Sequence, residues 1–204
     1  MRLRNLGLFA AAALVLPSIG WAQSSSRPLE RFSYRYVDAA LLFDAEVEIG
    51  DTDVDGDGIQ LRGSLPVNET FFVLAEFQTL DFDGDVDTTR LAVGGGGHWA
   101  FNNIIDLVAR LGIVREEVEV GRFDDDDTGL FAGARARFRP VPQAQEFEVE
   151  AGLELVDLDA GNLNNDLFII GEARYNFNAE FAAGATLTIG DDTTQLGLYG
   201  RYNF

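Results

Sequence analysis

Residues 194–204 read TQLGLYGRYNF, and this stretch decides the fold. Leu196, Leu198, Gly200, Tyr202 and Phe204 fall on one side of an extended chain, with Gln195, Gly197, Tyr199, Arg201 and Asn203 on the other. A period of two specifies a β-strand, because successive side chains leave opposite faces of the pleat. One face is apolar and ends on an aromatic carboxyl terminus, so it requires an apolar environment outside its own strand.

The same alternation recurs backwards through the chain. Phe147, Val149, Ala151, Leu153 and Leu155 oppose Glu146, Glu148, Glu150, Gly152 and Glu154; before them, Ala132, Ala134, Ala136 and Phe138 oppose Arg135, Arg137 and Arg139. In the first segment Leu41, Phe43, Ala45, Val47 and Ile49 oppose Leu42, Asp44, Glu46 and Glu48. The pattern predicts strands over about 33–49, 59–65, 71–80, 88–95, 105–120, 129–139, 146–156, 166–175, 179–189 and 194–204. That makes ten, with eight as the alternative if two short segments are loop. Alternate connections (51–58, 81–87, 121–128, 157–165, 191–192) are acidic, and those between them (66–70, 97–103, 140–145, 176–178) are not. Two classes of loop in strict alternation predict a barrel with one acidic rim. An even strand count puts both chain ends on the other rim.

Composition narrows the environment. A disordered acidic chain is excluded by 47% hydrophobic residues and 16 Phe. After the first 20 residues no run of 18 apolar residues occurs, which excludes helical spans. Strong alternation at a mean hydropathy of zero fits an all-β, closed antiparallel transmembrane β-barrel, apolar toward lipid and polar toward its lumen. A soluble lipocalin-like barrel would alternate similarly but turn its apolar face inward. Fifteen basic residues, all Arg, against 34 acids give a net charge of −19, which repels nucleic acid. Without Cys there is no disulfide or thiol chemistry.

The chain begins with Arg2, Arg4, an apolar stretch to Ile19 and the small-residue sequence Gly20-Trp21-Ala22, the pattern of a secretory leader. The expected organisation is a signal peptide over 1–22, a short lead-in over 23–32 and the barrel domain over 33–204. Cleavage after Ala22 removes two Arg and no acid, leaving 13 basic against 34 acidic residues.

If the apolar faces meet lipid, the opposite faces line the lumen with Glu46, Glu48, Glu148, Glu150 and Glu172 and with Arg110, Arg135, Arg137, Arg174 and Arg201. Asp44, Glu76, Glu116, Glu154, Glu180, Arg62, Arg90 and Arg139 extend the set. Charges in so narrow a space are costly unless paired, and Arg bridges carboxylates bidentately, so a plugged lumen is expected, with a small pore as the alternative. Tyr34, Tyr36, Trp99, Phe138, Phe147, Tyr175, Phe177, Phe181, Tyr202 and Phe204 near strand ends form the expected interfacial aromatic girdle. Asp51, Asp53, Asp55 and Asp57 open like a calcium loop, but the twelfth position is Arg62 where a bidentate Glu belongs. They are candidates for weak Ca²⁺ or Mg²⁺ binding only, and no other cofactor is expected. His98 is the only His and lies in a Gly-rich stretch away from a nucleophile or further ligands, so no enzyme is read here.

Four segments carry a resemblance: Phe32-Ser33-Tyr34-Arg35-Tyr36-Val37-Asp38-Ala39, Asp106-Leu107-Val108-Ala109-Arg110-Leu111-Gly112, Val156-Asp157-Leu158-Asp159 and Leu198-Tyr199-Gly200-Arg201-Tyr202-Asn203-Phe204. From Phe32 to Phe204 the chain resembles the small outer-membrane β-barrel proteins of Gram-negative bacteria, OmpA-like without the peptidoglycan-binding domain. The resemblance implies a cell-outer-membrane location and a monomer in contact with lipid and lipopolysaccharide. It also implies biogenesis through periplasmic chaperones and the barrel-assembly machinery, with Gly200, Tyr202 and Phe204 as the recognised terminal signal. It carries no catalytic residues. The expected role is envelope-structural or unspecified, with a small porin-like channel and an adhesion module using the acidic loops as alternatives.

Overall fold

The computed structural model describes residues 32–49, 52–84, 86–140, 146–157, 165–191 and 193–204. The predicted leader, most of the lead-in, and Asp51 lie outside them. Ten strands form in order: β1 (Tyr36–Ile49), β2 (Thr52–Pro66), β3 (Phe71–Phe82), β4 (Val86–Ala100), β5 (Ile105–Val120), β6 (Phe123–Phe138), β7 (Phe147–Asp157), β8 (Asn165–Asn176), β9 (Phe181–Ile189) and β10 (Thr193–Asn203). Each pairs antiparallel with its sequence neighbours, and β1 closes on β10, giving a closed ten-stranded barrel. Ten is the expected number, and closure leaves no free strand edge.

Chain direction places the start of β1 and the end of β10 on one rim, here the chain-end rim. Its turns repeat one device. Val67-Asn68, Phe101-Asn102 and Phe177-Asn178 each start a four-residue connection in which the Asn Oδ1 accepts a backbone N–H two residues on, at 2.8–2.9 Å. Asx turns of this kind mimic a backbone turn, which is why Asn recurs at the same place. On the opposite rim Gly84 and Gly121 take positive φ of 94° and 62° within tight turns.

Four expectations change. First, much of the acidic sequence is strand, not loop: residues 52–58 belong to β2 and 123–128 to β6. Asp disfavours strands locally, but here the ladder to the neighbouring strand supplies the backbone bonds. Second, Gly94–Gly97, His98 and Trp99 continue β4 rather than reversing the chain, and the reversal is at 101–104. A Cβ on Gly96 would lie 2.4 Å from the Phe72 ring, and one on Gly112 would lie 2.5 Å from the Phe131 ring, so these glycines make room for large side chains inside the barrel. Third, pairing shifts register between Phe43 and Glu46 on the β10 side and between Leu42 and Ala45 on the β2 side. The bulge inverts the alternation, and Ala45, expected beside Leu41 and Phe43 on the lipid face, is fully buried. Fourth, Tyr34 and Tyr36 are not girdle residues. Tyr34 is buried, and the Arg201 guanidinium lies 3.7 Å from the Tyr36 ring centroid on the lumenal side.

The outward face is apolar as the alternation requires. Leu41, Leu111, Leu130, Ile113, Ile169 and Leu198 are all more than half exposed. Trp99, Phe101, Tyr175, Phe177, Tyr202 and Phe204 ring the chain-end rim and are also exposed. An apolar belt of this extent on a closed barrel is stable in lipid and not in water.

Candidate functional site

The lumen holds the chemistry. On the β10–β1–β2 seam Asp38 sits directly opposite both Arg201 and Arg62 in the strand register. It accepts from Arg201 Nε and Nη2 at 2.6 Å each and from Arg62 Nη2 at 3.0 Å. Arg62 also reaches across the lumen to Glu172 on β8. Arg110 on β5 donates to Glu76 on β3 at 2.8 Å and pairs with Glu154 on β7 at the same distance. Arg135 bridges Glu150 and Glu154, each at 3.2 Å. Nearer the chain-end rim, Glu148 serves Arg137 at 3.2 Å, Arg139 at 2.8 Å, and Arg174. Burial strengthens such pairs and makes each partner costly to orphan, so the network is a rigid brace rather than a set of independent contacts.

Apolar groups complete the filling. Phe72, Leu74, Val108, Val114, Phe131 and Val156 are buried on one lumenal side, and Leu42, Ala45, Leu80 and Phe82 near the acidic rim on another. The lumen is therefore mixed rather than purely polar. The space left over is small. One cavity of about 50 Å³ lies toward the acidic rim beside Gln60, Gln78, Arg90, Phe168 and Gln195. Another of about 20 Å³ lies toward the chain-end rim. The amides of Gln60, Gln78 and Gln195 are linked by hydrogen bonds of 3.2 and 3.1 Å along the first.

The segment before β1 closes the chain-end mouth. Phe32 and Tyr34 are each 8% exposed. Arg137 Nη1 donates to the Ser33 carbonyl at 2.9 Å, Ser64 Oγ to the Tyr34 carbonyl at 2.8 Å, and the Tyr34 hydroxyl to Asp106 at 3.3 Å. His98 stacks on Tyr34 with centroids 3.8 Å apart, and its Nδ1 lies 3.7 Å from the same Asp106 carboxylate. Arg137 and Arg139 cover the Phe32 ring at 5.2 and 4.7 Å, cation–π contacts that seat the segment.

Of the sequence-predicted lumenal residues, Arg110, Arg135, Arg137, Glu148, Glu150, Glu172, Arg174 and Arg201 meet in this network. Glu180 does not: it is exposed in the turn before β9. The side chains of Asp44, Glu46, Glu48 and Asp53 lie outside the described residues. Asp38 was missed, although it stands on the same alternate row as Tyr36, Ala40 and Leu42 and is the most buried acid among the described residues. Asp55 and Asp57 are exposed on β2, spread along an extended strand rather than wrapped in a loop. Among the described residues no group of three or more His, Cys, Asp or Glu is placed to hold a metal ion. Gly200, Tyr202 and Phe204 share the outward face of the last strand.

One further arrangement lies outside the lumen. Register carries Asp57 opposite Asp81, Asp81 opposite Asp87, Asp87 opposite Glu119 and Glu119 opposite Asp124. This is an unbroken outward row of acids across β2 to β6 at the acidic rim, every member exposed.

No family model matches the chain, and no curated protein matches it in sequence. Solved barrels align with it over most of its length. A KdgM porin aligns at TM-score 0.47 and 10% identity over 83% of this chain and 99% of its own. Neisserial surface protein A aligns at TM-score 0.45 and 14% identity over 84% and 98%. Ail, the attachment invasion locus protein of Yersinia pestis, aligns at TM-score 0.41 and 18% identity over 83% and 100%.

Proposed function

We propose that this chain is an integral outer-membrane β-barrel with an envelope-structural role, its lumen braced shut rather than open for diffusion. The carrying observation is the lumen itself, crossed by ion pairs from Arg62 to Glu172 and from Arg110 to Glu76 and Glu154. The mouth-closing Phe32 and Tyr34 add a second barrier. In this reading the apolar belt meets lipid, the chain-end rim with its aromatics faces the periplasm, and the acidic rim faces outward beside lipopolysaccharide. Gly200, Tyr202 and Phe204 present the terminal signal to the barrel-assembly machinery. The protein acts as a monomer and carries out no reaction.

Planar-bilayer recording of refolded protein tests this, with heat-modifiable gel mobility establishing that the inserted species is folded. A folded, inserted protein is expected to give no steady conductance. Steady stepwise conductance from that species overturns the braced-lumen reading in favour of a small pore.

A further inference from the structure

Residues 32–35 close the chain-end mouth without belonging to the sheet. Pairing of β1 begins at Tyr36, opposite Asn203 on one side and Ser64 on the other, and the segment before it lies outside the ladder. Two side-chain donors hold its backbone, Arg137 Nη1 at the Ser33 carbonyl and Ser64 Oγ at the Tyr34 carbonyl. The Phe204 N–H adds a bond to the Arg35 carbonyl at 3.4 Å. Two rings supply the apolar grip. Tyr34 stacks on His98 and lies 5.4 Å from the Phe72 ring, and Phe32 lies against Arg137 and Arg139. A segment held by side chains, beside a sheet held by its ladder, opens at lower cost than the sheet does.

Release of this segment strands no charge in the lumen. Arg137 and Arg139 keep Glu148, and Asp106 keeps His98 Nδ1 at 3.7 Å. The Ser33 and Tyr34 carbonyls exchange their side-chain donors for water at the rim. The two rings also have a second place to go. Trp99, Phe101, Tyr202 and Phe204 are exposed around the same rim, the level at which aromatic side chains settle in membrane barrels. Behind the segment, Tyr34 walls the cavity of about 20 Å³ together with Leu74 and Val108. Glu76, Arg110 and Arg135 line both this cavity and the larger one, so ion-paired side chains stand between the two. We propose that residues 32–35 are a stopper hinged at Tyr36, which leaves the mouth while the ten-stranded sheet stays closed. Its release opens the chain-end part of the lumen to small solutes from that side alone, a one-sidedness that rests on the reading of the lumen as braced shut.

The chain has no Cys, so a single introduced thiol reports the opening. Val108→Cys places it in the cavity wall, at a position 7% exposed. Refolded protein in detergent is treated with methyl methanethiosulfonate, a small uncharged thiol reagent, over a range of urea below the unfolding transition. Heat-modifiable gel mobility establishes that the barrel is folded throughout. The modification rate is expected to stay flat with urea, because release of so short a segment exposes little surface. Adding Phe32→Ala should raise it by about tenfold or more. Phe32 anchors the segment without lining the cavity, so its loss loosens the stopper and cuts no hole beside the thiol. A rate that climbs with the urea slope of global unfolding, or one that Phe32→Ala leaves unchanged, overturns the stopper. If Val108→Cys does not refold, Leu74→Cys on the same cavity takes its place. Planar-bilayer recording of Phe32→Ala is expected to show no steady conductance. Steady conductance overturns one-sided access together with the braced lumen, whereas a global urea slope overturns the stopper and leaves the brace standing.

Discussion

Asp38 is 1% exposed and holds two arginines, one on each neighbouring strand. Replacing it with Ala orphans Arg201 inside the barrel and leaves Arg62 only Glu172, and breaking a buried pair costs about 3–5 kcal/mol. Urea unfolding of refolded Asp38→Ala, followed by tryptophan fluorescence, should show a loss of that order. Glycines divide by what surrounds them. A Cβ on Gly112 would approach the Val93 carbonyl oxygen to 2.2 Å, whereas one on Gly171 meets nothing within 4 Å. Gly112→Ala should therefore cost at least about 1–3 kcal/mol through overpacking. Gly171→Ala should leave stability unchanged or raise it by up to about 1 kcal/mol. The same unfolding assay measures both, and a reversed order would contradict the close packing of β4 on β5.

Elements show where sequence was legible and where it was not. The strands with one charged and one apolar row, β7 and β8, follow directly from alternation, and the Asn-led turns follow from side-chain mimicry of the backbone. The acidic strand ends did not, because Asp is a poor strand former and reads as loop until a partner strand is placed beside it. The bulge after Phe43 was equally hidden, since a register shift is a relation between strands and leaves no mark in either one alone. The outward acid row is the energetic cost of that arrangement. Like charges directly opposed across strands destabilise by up to about 1 kcal/mol per pair, and only the exposed Arg115–Asp126 pair, at 3.0 Å, offsets charge on the β5–β6 hairpin among the described residues. Hydrogen exchange of β5–β6 amides near this row should accelerate at low ionic strength, where the screening length grows, and slow in Glu119→Gln. At the other rim, Tyr34→Ala removes a buried ring from the mouth and should cost about 3 kcal/mol, read as a lowered urea midpoint.

At the scale of the molecule, charge is sorted by surface. Arginines go mainly inward to carboxylate partners, and exposed acids gather at one rim. The lumenal pairing was legible in outline because alternation assigns faces. Which Glu meets which Arg was not, because the contacts cross the barrel between strands far apart in sequence. The apolar share of the lumen was hidden for a related reason: Phe72 and Phe131 need the space vacated by glycines on other strands. Folded protein should resist unfolding in cold detergent and shift in gel mobility only on boiling, as a closed barrel with no free edge requires.

The seam gives the molecule an order of events. Arg201 and its carboxylate partner on β1 are 163 residues apart, so their meeting closes nearly the whole chain into one loop. Long-range pairings of this kind are reached slowly, because the entropy of loop closure is spent before the contact repays it. Until the final strand docks, β1 carries a carboxylate lacking one of its cations, and the arriving strand carries an unmatched guanidinium. Both face the lumen, so docking of the final strand neutralises them together. Strand β10 then acts as a latch, and a barrel lacking it should stall open-edged rather than insert as a nine-stranded sheet.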